Sequence, residues 1–484
     1  MSGKAFLFIL LLVGIIILNS RVAVVNSTGV VPTIYILADG TVDPYDAPIW
    51  RNGAQYLIVS DMAIDGDGIV VQKSNIDIDG AQHELLGKGV GTGITLDNVD
   101  NVVVNDFRIR NFFSGFLLNS SSFNTISRII IASDNGTSGE GFKIDSYSNN
   151  NTVSGSSIAS SGNGIAIVLN SDGNVIADNE VINNSATGIF LDYASNNRIE
   201  RNRIENNGNG VSLDEYCNGV SISENSIINN NHGIGLNQSC NDCRISWNSV
   251  MNNSHGVSIF SSCNGTYISE NEVANSKVYG INVESGTQTV YHNNFLENAQ
   301  NARTSSTTSL WDDGPEGNYW SDYAGHDFNL DGIGDAPYFM DENNQDNFPL
   351  LGALNHESDI WGLGDFYFIT NSTLDNFDEG WVEGHQSIIL TVSNKTADQT
   401  FGFIRMCHSN SMQITFALID GKEPYYANYS LYGNGTHTWM YLAYQCPAEN
   451  IDIVIPEFQS TTAISLFMIA ALTLVIAGRK KRFI

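Results

Sequence analysis

Two carboxylates raise the first chemical question. Asp192 and Asp214 stand one repeat apart, and each closes a short apolar run, "GIFLD" and "GVSLD". Tyr193 follows the first, Glu215 and Tyr216 follow the second, and Phe190 alternates with Asp192 so that it faces outward. Side by side, the carboxylates accept sugar hydroxyls and the aromatic faces let sugar rings lie flat, which makes a glycan groove. Two carboxylates about 5 Å apart also fit an acid and nucleophile for glycoside cleavage. The bland alternative is a solvated acidic edge. Binding is favoured over catalysis here.

A second constellation suits a cation. Asp327, Asn329, Asp331, Ile333 and Asp335 place oxygen ligands at alternate positions around Gly332. These are the first nine positions of a Ca2+ loop, with Ile333 contributing its carbonyl. Position twelve is Tyr338 rather than a bidentate Glu, so another group must complete the shell, and Asp341, Asp322 and Asp346 are the candidates. Cys217, Cys240 and Cys263 recur at 23 residues with Cys243 close by. In an exported chain they are expected to form one or two disulfides between neighbouring turns, with Cys407 and Cys446 as a further bridge. His232 and His255 share the spacing but lack a third ligand, so they are expected to sit idle at a turn.

What positions these residues is a repeat. Gly93, Gly115, Gly141, Gly164, Gly188, Gly210, Gly233, Gly256 and Gly280 follow one another at 22 to 26 residues. Asn179, Asn202, Asn225, Asn248, Asn271 and Asn294 recur at 23. After each Gly comes an alternating triplet such as "IFL", "VSL" or "IGL", which reads as strand. Strands this short bury nothing alone; stacked about 4.8 Å apart they close every ladder around an apolar interior. The fold expected is all-β: a right-handed parallel β-helix of roughly 10–12 coils over residues 28–300. Ile204, Ile227, Val250 and Val273 stack inside, as do Val211, Ile234, Val257 and Ile281. Asn is expected to form a ladder between coils, and Gly to supply a backbone angle that a side chain forbids. Residues 301–356 read as a cap carrying the calcium-type loop. Residues 357–450 alternate like a small antiparallel β-sandwich ("QSIILTVSN", "MQITFALID").

The chain of 484 residues carries 22 Lys+Arg against 52 Asp+Glu, a net charge of −30. Such a surface repels phosphate backbones and excludes nucleic acid as a partner. Residues 1–27 read as a signal peptide around the apolar run Ala5 to Leu18, with an uncleaved anchor as the alternative. Residues 451–484 hold a second apolar run, Ala463 to Ala477, followed by "GRKKR". Basic residues flanking both segments leave everything between them outside the cell. Twelve Asn-x-Ser/Thr sites between the two agree with an exported glycoprotein.

Two resemblances follow from quoted motifs. "IPEF" (Ile455 to Phe458), the apolar run and the basic cluster resemble the PEF-type C-terminal sorting signal of archaeal surface proteins. That resemblance implies removal of the tail and re-anchoring through a lipid; a plain transmembrane tail is the alternative. "GNYWSDY" (Gly317 to Tyr323), "DGIGDAPY" (Asp331 to Tyr338) and "FPL" (Phe348 to Leu350) close an Asn-rich β-helix. They resemble the NosD-like family, grouped with the CASH domains of carbohydrate-binding proteins and sugar hydrolases. The resemblance implies a right-handed β-helix on the extracellular face of the envelope, with glycans or envelope components as partners. The family namesake's role in copper maturation finds no copper site in these residues. The Asp-Pro-His and Gly-His-Gly elements of related epimerases, lyases and polygalacturonases are absent too.

Overall fold

The computed structural model describes residues 31–132, 139–306 and 308–357, and then 366–382, 385–397, 399–409, 414, 416–433, 437–448 and 450–454. The signal peptide, the "IPEF" motif and the apolar tail lie outside the described residues. The described residues fall into two compact units that divide between Asn264 and Gly265.

In the first unit the short apolar runs become strands of three residues or a few more, and each finds its partners one coil away. One coil consists of Arg203–Glu205, Asn209–Leu213 and Ser221–Ser223. Each strand pairs in parallel with its counterparts: Ile204 with Val181 and Ile227, Val211 with Ile189 and Ile234, Ile222 with Ile199 and Ile245. All of these side chains are fully buried. Each contributes about 1.5–3 kcal/mol by leaving water, which no three-residue strand achieves without its neighbours. The expected stack Ile204, Ile227, Val250 is present, as is Val211, Ile234, Val257. Near the N-terminal end, Ile34–Ile36 already pairs in parallel with Ile69–Val71, and Ile49–Asn52 folds back on Gln55–Ile58 as an antiparallel hairpin at the edge of its sheet.

Asn carries the turns as expected. The backbone N–H groups of Asn179, Asn202 and Asn225 donate to Oδ1 of Asn202, Asn225 and Asn248 at 2.9–3.0 Å. Asn202 Nδ2 donates back to the carbonyl of Ile176 at 2.8 Å, so one side chain ties three coils. Two more ladders run through Asn184, Asn207, Asn230, Asn253 and through Asn124, Asn151, Asn174, Asn197. The residue before each rung of the first ladder (Asp178, Arg201, Glu224, Trp247) turns the chain in the left-handed region, at φ of 54° to 59°.

The recurring Gly serves a different purpose from the one expected. None of Gly188, Gly210 or Gly233 has a positive φ. Their constraint is space: a Cβ on Gly210 would stand 2.4 Å from the carbonyl oxygen of Gly233 and 2.6 Å from Cγ2 of Ile227. Successive coils pass too closely there for any side chain.

In the second unit Tyr267–Ser269 pairs with Thr289–Tyr291, and Glu272–Ala274 with Asn294–Leu296. Parallel pairing continues beyond residue 300, since Asn294–Leu296 pairs with Tyr319–Trp320 and Tyr279–Val283 with Ala302–Thr304. Val273 and Ile281 are buried within it. Asn293, not the expected Asn294, takes the rung after Asn271, and that ladder runs through Asn318 to Asp346, whose Oδ2 accepts the Asn318 N–H at 2.7 Å and Trp320 Nε1 at 2.9 Å; Asn294 Nδ2 donates instead to the Leu354 carbonyl at 2.8 Å. Trp320 stacks between Phe295 and Tyr338, both at 4.5 Å. The "GNYW" motif is thus the stopper of the winding. Two antiparallel sheets follow, of five and four strands, from Ala353–Glu357 to Asn450–Val454. Phe366, Phe368, Ile388, Leu390, Met406, Met440 and Ile451 fill the space between them. Among the described residues no helix is long and apolar enough to cross a membrane.

Candidate functional site

Parallel register brings the first constellation together. Asp192 ends the strand Thr187–Asp192, and Asp214 follows Asn209–Leu213 one coil on, its N–H donating to the Leu191 carbonyl at 2.8 Å. Both carboxylates are half-buried, as is Phe190, which sits between Ala166 and Ser212 on the flanking coils. Asp214 Oδ1 accepts Asn237 Nδ2 at 2.8 Å and Ser212 Oγ at 3.3 Å. Burial pushes the Asp192 carboxyl up, and the neighbouring charges of Asp214 and Glu215 add to the rise. Such a carboxyl holds its proton longer than an exposed one.

The aromatic pair lies just outside these acids. Tyr193 and Tyr216 are 40% and 54% exposed, with ring centroids 5.6 Å apart. The Tyr193 hydroxyl donates to Glu215, which pushes its phenol up to about 12. All six expected residues therefore share one edge. Tyr147, 66% exposed and linked by its N–H to Leu169 on the next coil, extends that row and was missed. Its signal was "DSY", Asp145 to Tyr147, at the end of an earlier strand.

The calcium-type loop is closed by its own backbone. Asp327 accepts the N–H groups of Asp331 at 3.0 Å and Gly332 at 2.8 Å, Asp331 accepts that of Ile333 at 2.9 Å, and Asp335 that of Phe328 at 2.6 Å. Asn329 Nδ2 donates to Asp331 at 3.0 Å. The three acids expected to complete a shell are engaged elsewhere: Asp322 by Asn301 and Tyr338, Asp341 by Asn343 and Asn344, Asp346 by Asn318 and Trp320.

The cysteines are all thiols. Cys217, Cys240, Cys243 and Cys263 are fully buried at one corner of the first unit, as their spacing required. Hydrogen bonding from Cys217 keeps the Cys240 thiol protonated, and burial pushes Cys243 up to about 12. The expected Cys407–Cys446 bridge is ruled out by register. Cys407 pairs with Trp439, whereas Cys446 follows Gln445, the partner of Phe401. Six strand residues separate the two positions by about 20 Å, far beyond disulfide reach. His232 and His255 stack face to face at 4.5 Å. Metals bind in the plane of an imidazole ring, so stacked rings do not aim at one ion.

Sequence reasoning missed a buried cluster in the second unit. Glu270 and His292 occupy left-handed turn positions before the ladder residues Asn271 and Asn293, both at φ 56°. His292 Nε2 donates to Glu316 Oε2 at 2.7 Å, and Glu316 Oε1 accepts Arg405 Nη2. Arg405 Nη1 donates to the Asp331 carbonyl at 2.7 Å. Burial would raise the Glu316 carboxyl, but His292 and Arg405 outweigh it and hold it down at about 2. Burial would lower His292, and the Glu316 partner outweighs that and raises it. These side chains border a cavity of about 240 Å³.

The family model described as periplasmic copper-binding protein (NosD) matches residues 60–259 and 133–325. No curated protein matches the chain. Among solved structures, the chain is similar to a mutant of the periplasmic alginate epimerase AlgG (14% identity, 53% of this chain and 67% of that one, TM-score 0.39). It is also similar to the Dettilon tailspike protein gp208 (12%, 88% and 86%, TM-score 0.43). A third is a hyperthermoactive exopolygalacturonase from Thermotoga maritima (12%, 60% and 82%, TM-score 0.30).

Proposed function

Since the chain belongs to the NosD family, whose model covers more than half of it, we propose that it is a β-helix scaffold working outside the cytoplasmic membrane. In this reading it binds glycans or other envelope components along the edge of Asp192 and Asp214 and is not a catalyst. The observation that carries the reading is the exposed Tyr193–Tyr216 ring pair beside half-buried carboxylates. Exposed aromatic rings accept the C–H faces of sugars, and the acids accept their hydroxyl protons. The tail beyond Val454 (the expected boundary at 451 falls inside the last strand, Asn450–Val454), or a lipid attached after its removal, holds the protein at the membrane. Ca2+ bound by Asp327, Asn329, Asp331 and Asp335 with the Ile333 carbonyl is proposed to stiffen the loop.

One observation favours a second reading. The raised pKa of Asp192 beside Asp214 is what an acid paired with a nucleophile or base needs, as in a polysaccharide hydrolase, lyase or epimerase. A glycan array combined with a reducing-sugar assay separates the two: binding without turnover supports the first, turnover the second, and neither overturns both. Copper binding, carried by the family's description, does not fit. Among the described residues His232 and His255 stack face to face rather than aiming at one ion, and no third His or Cys joins them to form a copper site.

A further inference from the structure

We infer that the cavity bordered by Glu270, His292, Arg405, Tyr367 and Trp439 binds one small polyhydroxylated ring, a single sugar residue. The inference stands apart from the edge at Asp192 and Asp214, which lies in the other compact unit. It begins with hydrogen-bond capacity. Glu316 spends its oxygens on His292 and Arg405, and Arg405 spends Nη1 and Nη2 on the Asp331 carbonyl and Glu316. Two buried atoms are left without a partner: Glu270 Oε2, an acceptor, and Arg405 Nε, a donor. Glu270 Oε1 lies 4.0 Å from His292 Nδ1, too far for a hydrogen bond. Buried polar atoms without partners are uncommon in folded proteins and call for an explanation.

The walls narrow the class of ligand. Tyr291, Tyr367 and Trp439 line the cavity with Leu354 and Ile369. A cation that satisfied Glu270 would meet the positive charges of Arg405 and His292, and an anion that satisfied Arg405 would meet Glu270. A hydroxyl both donates and accepts, so adjacent hydroxyls on one ring supply a proton to Glu270 and an oxygen to Arg405 without adding charge. The C–H faces of the same ring pack on the aromatic walls. Cys407 also borders the space, but burial pushes its thiol up to about 12, so it is not an activated nucleophile. The site is built to hold a ring, not to cleave one.

The test is saturation-transfer NMR on the full chain with methyl glucoside, methyl galactoside, methyl mannoside and N-acetylglucosamine, with n-butylamine and butyrate as charged controls. At least one sugar is expected to show transfer that survives in the double variant Tyr193→Ala/Tyr216→Ala. The same transfer is expected to fall at least fivefold in Glu270→Gln, which is nearly isosteric, and in Trp439→Phe. Melting curves of both variants confirm that they fold, and either one alone suffices for the comparison. The inference is overturned by no transfer to any sugar, by transfer unchanged in the folded cavity variants, or by stronger transfer to a charged control than to every sugar. Transfer lost only in the tyrosine variant places all binding at the edge and also overturns it, while leaving the proposed function standing.

Discussion

Asn225 Oδ1 takes two hydrogens from Asn202, the backbone N–H at 2.9 Å and the side-chain Nδ2 at 3.0 Å. Asn225 Nδ2 in turn donates to the Ile199 carbonyl at 2.8 Å, and the residue is 1% exposed. Removing its amide strands donors and acceptors on two coils at once. Each buried polar group left unmet costs about 1–3 kcal/mol. Asn225→Ala should therefore lower the unfolding free energy by roughly 3 kcal/mol, read from the urea midpoint. An unshifted midpoint would show that the ladder decorates the turn without holding it.

Two glycines two positions apart separate the effect of space from that of flexibility. A Cβ at Gly233 meets Cγ1 of Val250 at 2.5 Å and the Gly256 carbonyl at 2.6 Å, whereas at Gly235 nothing lies within 4 Å. Neither residue has a positive φ. Gly233→Ala should cost about 1–3 kcal/mol by overpacking, while Gly235→Ala stays within about 0.5 kcal/mol. Comparable thermal shifts in the two variants would reject the close-approach account.

The same contrast shows what was legible in the letters. Periodicity at 22 to 26 residues gave the coil, the buried stacks and the Asn rungs, because every such contact joins like residues one repeat apart. The reason for the recurring Gly was not legible, since distance to the next coil is a property of the packed backbone. The edge at Asp192 and Asp214 was readable for the same reason as the coil. The Glu316–Arg405 pair joins residues 89 apart and repeats nothing. Cys407 and Cys446 misled because parity of cysteines says nothing of register.

That buried pair should govern the acid limb of stability. Glu316 has a folded-state pKa of about 2 against an ordinary value of 4.5. Its contribution is therefore present above about 4.5 and lost as pH falls toward 2. The raised pKa of His292 works in the opposite direction: its contribution is complete below 6.5 and disappears as pH rises through the folded value. Wild-type melting temperature should fall more steeply from pH 4.5 to 2.5 than that of Glu316→Gln, which has no carboxylate to protonate. Parallel slopes would place the acid sensitivity in other carboxylates.

Calcium at the loop of Asp327 and Asp331 should bind weakly. The acids that might have completed the shell are committed to other donors, so only Asp327, Asn329, Asp331, Asp335 and a carbonyl remain. Affinity near the roughly 10⁻⁴–10⁻³ M of extracellular modules is expected. Saturating calcium should then raise the melting temperature by about 3 °C relative to a chelator, through binding to the folded state alone. Asp327→Asn should abolish that difference. If chelator and calcium give one melting curve, and elemental analysis finds no bound metal, the loop is held by its own amides.

The edge itself separates holding from cutting by chemistry. Replacing the exposed rings in Tyr193→Ala/Tyr216→Ala removes stacking worth about 1 kcal/mol for each ring, so glycan affinity should fall about tenfold or more. Asp192→Asn/Asp214→Asn keeps size and hydrogen-bonding ability and removes ionisation. For a binding edge the amide variant should retain most of its affinity, and no variant should release reducing ends. For a cleaving edge it should abolish turnover. Wild-type activity should then fall as pH rises through the elevated Asp192 value, because the protonated form is the acid. Turnover that disappears with these two carboxylates would reverse the assignment from scaffold to enzyme. Tight glycan binding untouched by either double variant would move the site off this edge altogether.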